Sequence, residues 1–257
     1  MSRVYESLGY VEGASFQSEG DVLIGVIYIG LGEGRKPTVI LLHGLPGLEK
    51  NFDIAYKLRE MGWNVLISHY RGCWGSEGKY RFTGIPTDVK NAITYMKSKE
   101  FVDKEKIFLV GHSMGAWATI ITAAQDKRVK GAVAISGGAS STEMPPTKIS
   151  DRQSKHLDTL IAQRFLKGIT LQEAIENSTR RSKELAPQDW VAKISPRPLL
   201  IIGGEQDATV SPDRVKALYE KAKQPKKLVI IKDADHVFTK KRKELVRTVT
   251  NWLKTQI

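Results

Sequence analysis

Apolar residues along this chain gather into short runs rather than long stripes. Such runs occupy Thr38–Leu42, Asn64–Ser68, Lys106–Val110, Gly131–Ile135, Leu199–Ile202 and Leu228–Ile231. Continuous aliphatic runs this short, bounded by turn residues, predict strands buried on both faces of a sheet. Two more strand-like stretches, Tyr10 to Phe16 and Val22 to Ile29, precede them and predict an early hairpin. Between the runs the apolar spacing changes to a helical period over Phe52–Met61, Asp88–Lys99, Ser113–Asp126, Pro212–Lys223 and Lys241–Lys254. Strands alternating with helices predict an α/β fold with a mostly parallel central sheet of about eight strands, flanked by helices. The alternation breaks after the sixth strand. Gly137-Gly138-Ala139-Ser140-Ser141 opens a polar segment running to about Trp190, with Pro145-Pro146 and helix-like Ser154–Leu166 and Thr170–Arg181. That divides the chain into a core of residues 1–137 and 191–257 and a small helical insertion of residues 138–190.

One turn carries chemistry. Gly111-His112-Ser113-Met114-Gly115 follows the run Lys106–Val110 and opens the run Ala116–Ala124. This is the G-x-S-x-G nucleophile elbow in its strand–turn–helix setting. The chain reverses so sharply at Ser113 that only small residues fit two positions to either side. The turn lifts the hydroxyl above the sheet, where the following helix aims N–H groups and a positive dipole end.

A serine nucleophile needs a base and a group that orients the base. The histidines are His43, His69, His112, His156 and His236. His112 is the variable residue of the elbow, beside the serine, and His43 reads as a turn-stabilising residue. His236 is the candidate base, because it follows the last strand in the loop Lys232 to Phe238 and can reach back across the sheet. Two carboxylates follow the glycines that end Leu199–Ile202: Glu205 and Asp207. Asp207 is preferred, since the turn and the helix start Ser211-Pro212-Asp213 follow it directly. Asp233 and Asp235 flank His236 and read as residues shaping its loop.

These motifs, with His43-Gly44-Leu45-Pro46-Gly47 and Tyr70-Arg71-Gly72-Cys73-Trp74-Gly75-Ser76-Glu77-Gly78, resemble those of the α/β-hydrolases from Thr38 to the C-terminal helix. The resemblance implies Ser113 as nucleophile, Asp207 as acid and His236 as base, in the family's chain order. It also implies an oxyanion hole from the backbone N–H groups of Leu45 and Met114, and a cap over the serine formed by residues 138–190. Leu157, Leu160, Ile161, Phe165 and Leu166 are the candidate apolar face of that cap. The early loop lacks the triple glycine of some lipases and esterases, which points away from bulky tertiary-alcohol esters. The chain is similar to serine esterases, acyl-peptidase-like and monoacylglycerol-lipase-like members, and no motif separates these three. The expected activity is a serine esterase acting on a small-molecule ester or acyl substrate, without cofactor or metal. Peptide or thioester hydrolysis by the same triad is the alternative, and a non-catalytic binding protein on this scaffold is disfavoured because every triad position is filled.

Composition changes this picture little. The 257 residues suit one α/β domain, and 41% hydrophobic with 26% charged residues is ordinary for a soluble protein. The start of the chain has no charged-then-apolar signal pattern and no apolar run is long enough for membrane insertion, so a cytoplasmic location is expected. The single cysteine, Cys73, reads as a packed loop residue and excludes an intramolecular disulfide. The net charge of +12 does raise nucleic acid as a partner. Thirteen basic against five acidic residues lie between Asp213 and Ile257, densest at Lys240-Lys241-Arg242-Lys243. No stacking aromatics or nucleic-acid motif accompany them, so the expectation is no nucleic acid and the solvated face of a surface helix. Nothing in the residues sets an oligomeric state.

Overall fold

The computed structural model describes residues 9–45, 49–139 and 151–257. Its eight strands are β1 (Val11–Ser18), β2 (Asp21–Tyr28), β3 (Lys36–Leu42), β4 (Asn64–Ser68), β5 (Val102–His112), β6 (Val129–Ile135), β7 (Leu199–Gly204) and β8 (Lys226–Ile231). They form one sheet in the order β1-β2-β4-β3-β5-β6-β7-β8. From β4 to β8 every neighbouring pair is parallel, and β2 runs antiparallel to both β1 and β4. This is the α/β architecture with a mostly parallel eight-stranded sheet that the run pattern predicts.

The period of two divides each central strand between two cores. Ile40, Leu109, Ala134 and Ile201 face one side of the sheet. Their neighbours Leu41, Val110, Ile135 and Ile202 face the other. The first side is covered by α2 (Ile85–Lys97), α3 (Met114–Gln125) and α7 (Pro212–Lys221), and the second by α1 (Phe52–Glu60) and α8 (Arg242–Lys254). Full burial of each Val, Leu or Ile is worth about 1.5–3 kcal/mol, so doubly covered strands are the stable place for continuous aliphatic runs. Helix α3 is apolar nearly all round because it lies between the sheet and the residues after β6: ten of its residues are buried.

Three differences from the predicted elements have local causes. Strand β5 begins at Val102, four residues before its apolar run, because Lys36 pairs with Val102 ahead of a register shift. Helix α2 starts at Ile85 rather than Asp88, with Pro86 in its first turn, where the missing N–H costs nothing. A short helix α6 (Pro187–Trp190) and a 3₁₀ turn (Val191–Ile194) lead into β7, too brief to leave a period in the sequence.

The insertion contributes two longer helices, α4 (Asp151–Ala162) and α5 (Leu171–Glu184). Thr170 caps α5 in a reciprocal capping box with Glu173. Leu157, Leu160, Leu166, Ile169 and Ala174 are buried against the α2–α3 side of the molecule. Pro145-Pro146, the Ser140-Ser141 pair and Pro46-Gly47 lie outside the described residues. Among those described, no helix is long and apolar enough to cross a membrane.

Candidate active site

The elbow forms where the sequence places it, between β5 and α3. Ser113 has φ 56° and ψ −116°, a backbone state worth about 1–3 kcal/mol of strain for a residue with a Cβ. The flanking glycines make that state possible. A Cβ on Gly111 would collide with the Gly115 carbonyl, and one on Gly115 with the Leu42 carbonyl. The Ser113 N–H donates to the Ile135 carbonyl at 2.8 Å, which locks the strained turn to β6.

His236 meets this serine from the loop after β8. Its Nε2 lies 3.0 Å from Ser113 Oγ, and its Nδ1 lies 2.8 Å from Asp207 Oδ2. Only one tautomer satisfies both contacts: Nδ1–H donates to the carboxylate, so Nε2 accepts from the serine hydroxyl. The Asp207 side chain is fully buried. Its second oxygen accepts from the N–H groups of Thr209 and Val210, each at 2.8 Å. Burial pushes the carboxyl upward, but the hydrogen bonds from His236 and the Val210 N–H outweigh it and hold the group below the ordinary carboxylate range. Asp207 is therefore ionised at neutral pH. Glu205, the competing carboxylate, points away and accepts from the Asp233 N–H at 3.0 Å.

The loop after β3 approaches Ser113 from the opposite side. A Cβ on Gly44 would stand 3.3 Å from Ser113 Cβ, so the Gly44–Leu45 backbone lies against the serine. His43 braces this loop. Its ring is buried, burial lowers its pKa to about 3, and the neutral Nδ1–H donates to the Gly44 carbonyl at 2.8 Å. The Tyr70 hydroxyl donates to the His43 carbonyl at 2.9 Å. The neighbouring Arg71 is fixed by an ion pair with buried Asp88 at 2.9 Å. Much of the Tyr70–Gly78 motif is thus scaffolding for the serine's surroundings. Cys73 belongs to that scaffolding, since burial raises its thiol to about 12.

Two residues near the site act in ways their sequence positions did not announce. The His112 ring, lowered to about 4 chiefly by burial and so neutral, sits under the His236 loop, where its Nε2–H donates to the His236 carbonyl at 2.7 Å. Arg242, in the basic run, donates to the Val237 carbonyl at 3.0 Å and forms an ion pair with Asp53 at the start of α1. Both hold the backbone that carries His236. The elbow motif marks the position of His112 but not its partner, and Arg242 is indistinguishable in sequence from its lysine neighbours. Asp235 shapes the same loop as expected, accepting from the Thr239 N–H at 2.8 Å.

A cavity of about 940 Å³ opens onto Ser113 and His236, with Leu45 and Met114 in its wall. Helices α4 and α5 supply much of the far wall, including Leu157 and Arg181. Trp117, one turn into α3, forms part of the floor and donates through its indole N–H to the Leu185 carbonyl at 2.8 Å. Of the five apolar insertion residues, Leu157 alone is part of this wall among the described residues. Leu160 and Leu166 are in the core, and Phe165 packs on Trp74 with 4.8 Å between ring centroids. Among the described residues no three His, Cys, Asp or Glu side chains are grouped as a metal ligand set.

Comparison with known proteins agrees with this architecture. A model of the prolyl oligopeptidase family matches residues 51–257. Over 210 residues the chain is 26% identical to the uncharacterised protein YfhR of Escherichia coli O157:H7, covering 81% of this chain and 66% of YfhR, about two thirds of that relative's length. It is 30% identical over 202 residues to the esterase EstD of Thermotoga maritima, covering 73% of this chain and 46% of EstD. The solved α/β hydrolase GrgF from Penicillium sp. sh18 superposes with a TM-score of 0.79 at 22% identity, covering 96% of this chain and 99% of GrgF.

Proposed function

The chain belongs to the prolyl oligopeptidase family, within the α/β-hydrolase superfamily, and we propose that it is a serine hydrolase cleaving small-molecule carboxylic esters. The observation that carries this reading is the unbroken hydrogen-bonded relay from Ser113 through His236 to buried, ionised Asp207. In the proposed reaction Ser113 Oγ attacks the acyl carbon while His236 Nε2 takes the hydroxyl proton. The carbonyl electrons move to oxygen, and the resulting oxyanion accepts hydrogen bonds from the backbone N–H groups of Leu45 and Met114, each donor typically worth ~3 kcal/mol. When the tetrahedral intermediate collapses, the ester C–O bond breaks and His236 returns the proton to the departing alkoxide. Water then attacks the acyl-enzyme with His236 again as base, which releases the acid and restores the serine. Asp207 keeps the imidazole in the required tautomer and balances its charge while it holds the proton. Residues 138–190 act as a cap over this site, and the reaction needs no cofactor. We place the enzyme in the cytoplasm.

The family match favours a second substrate class, peptide-like amides, cleaved by the same residues. One experiment addresses both. Purified protein is assayed against p-nitrophenyl esters of increasing chain length, aminoacyl anilides and acyl-CoA thioesters, with Ser113→Ala as control and fluorophosphonate labelling as an independent readout. Ester turnover and labelling, both lost in Ser113→Ala, are expected. Labelling with turnover of anilides alone would move the assignment to a peptidase. Turnover that persists in folded Ser113→Ala, or no labelling of the wild type, would defeat the proposal.

A further inference from the structure

The cavity over Ser113 carries charge of one sign. Arg152, Lys155, Arg181 and Arg214 line it, and no Asp or Glu does among the described residues. Clefts lined by one sign of charge concentrate ligands of the other, and the effect strengthens with low-dielectric walls. Here the walls are apolar rings and aliphatic side chains, including Trp117, Phe82 and Leu157.

Arg181 is the informative member of the set. It reaches from α5 and lays its guanidinium over two aromatic rings, 5.3 Å from the centre of Trp117 and 5.4 Å from that of Phe82. Trp117 stands about one helical turn beyond Ser113, its backbone N–H donating to the Ser113 carbonyl at 3.2 Å. The rings therefore fix a cation in the cavity that opens onto the serine. Its Nε is closed to solvent and has no hydrogen-bond acceptor among the described residues. None of the ion pairs among those residues involves it either. A guanidinium offers five donors in a planar fork, and aromatic faces satisfy none of them in the plane. Burial pushes the Arg181 pKa down; Tyr80 opposes the shift, and the like charge of Arg214 adds to it. An enzyme that needed only an apolar wall would gain nothing from a half-buried cation held here without a counter-charge.

We propose that the cavity selects esters bearing an oxyanion group, a carboxylate or a phosphate, with Arg181 pairing with that group while Ser113 attacks the ester carbonyl. This rests on the serine-hydrolase reading above and narrows it to an anionic substrate class. Two oxygens of a carboxylate or of a phosphate match the guanidinium fork with two parallel charge-assisted hydrogen bonds, and the Trp117 and Phe82 faces keep the fork aimed. Arg214 is held in place, its Nε donating to the Ala139 carbonyl at 2.9 Å, and the ionised Asp207 offsets part of its charge, which leaves Arg181 as the principal partner for the anion.

The test uses matched pairs at about 0.15 M salt. On the acyl side p-nitrophenyl butyrate is compared with mono-p-nitrophenyl glutarate and with p-nitrophenyl 4-phosphonobutyrate. On the alcohol side phenyl butyrate is compared with 4-carboxyphenyl butyrate. At least one anionic member should exceed its neutral partner in kcat/KM by tenfold or more, and the winning pair identifies the anion and the side. Arg181→Gln should lower that anionic-to-neutral ratio at least tenfold, and Arg181→Lys should restore part of it. Thermal stability and the rate of fluorophosphonate labelling show whether the variants are folded. Preference for the neutral member in every pair, or a ratio untouched by Arg181→Gln, would overturn the proposal while leaving the hydrolase reading intact. If the wild type neither cleaves these esters nor takes the phosphonate, the hydrolase reading fails instead. The anion site is then judged by glutarate and inorganic phosphate, which should raise the Tm of the wild type and not of Arg181→Gln; no shift in either overturns it.

Discussion

The His112 and His236 rings pack at a tilt of 40° with 5.0 Å between centroids, and the His112 Nε2–H donates to the His236 backbone carbonyl at 2.7 Å. The variable residue of the elbow thus holds the loop that brings the imidazole to its own neighbour, Ser113. An error of about 1 Å between reacting groups can cost ~100-fold in rate. His112→Ala should therefore lower kcat by about 10–100-fold with little change in KM. His112→Gln, whose amide N–H can reach the same carbonyl, should recover much of it. Loss of KM with kcat preserved would show that His112 shapes the pocket instead of the base.

The relay itself allows a sharper test. Asp207→Asn should reduce kcat by ~10⁴, because the amide presents the wrong partner to Nδ1–H. Glu205→Gln should leave it almost unchanged, since Glu205 accepts from the Asp233 N–H on an exposed loop. Equal losses in the two variants would mean that both act through folding of the β7–α7 loop, and the assignment of Asp207 as orienting acid would fall.

Buried neutral histidines predict acid sensitivity. Burial sets His43 and His112 to about 3 and about 4, below the usual 6.5. The unfolded chain takes up both protons once the pH falls below about 6.5, and the native state resists until about 4. Stability is therefore complete above pH 6.5 and is lost as the pH falls through this window, by about 1.4 kcal/mol per pH unit for each histidine. The urea midpoint should drop steadily from pH 6.5 to 4.5, less steeply in His112→Gln. A flat profile would show that these rings accept protons without unfolding.

The central strands and the Ser113 turn were legible in the sequence because their signals are local. Ile107 to Val110 is apolar on every residue, and the glycines at 111 and 115 stand at the spacing that the turn demands. Element ends were less legible where pairing, not pattern, decides them: polar Asp103 to Lys106 belong to β5 because Lys36 meets Val102 across the sheet. The surroundings of the site were legible least. Nothing near Arg181 in the chain reveals that Trp117 and Phe82 lie beneath it, because that contact joins residues 64 and 99 positions apart.

The insertion separates two leucines that the helical period treats alike. Both are buried in the same core, 4% and 3% exposed, but only Leu157 also lines the cavity. Leu157→Ala should shift the ester chain-length preference by about 1–3 kcal/mol in discrimination, on top of a stability loss of about 2–5 kcal/mol. Leu160→Ala should cost a similar amount of stability and leave the chain-length profile in place. Reversed outcomes would turn the insertion about its helix axis and redraw the cavity wall.

The basic run at Lys240 to Lys243 also divides, and its division tests whether net charge or one contact matters. Lys240 and Lys243 are not among the ion pairs or hydrogen bonds of the site, but Arg242 ties the Val237 carbonyl to Asp53 across two elements. The pair with Asp53 is half-buried and bidentate, the geometry in which an arginine contributes more than a surface lysine does. Removing the guanidinium loosens the residue next to His236, so Arg242→Gln should lower Tm by several degrees and kcat by about tenfold. The double variant Lys240→Glu with Lys243→Glu makes a larger change in net charge, yet it should alter neither Tm nor hydrolysis of a neutral ester measurably. Salt-dependent, sub-micromolar binding of DNA or RNA that the lysine double variant abolishes would assign the run to nucleic acid after all. Equal effects of the arginine and lysine variants on Tm would reduce the run to a matter of charge, with no special place for Arg242.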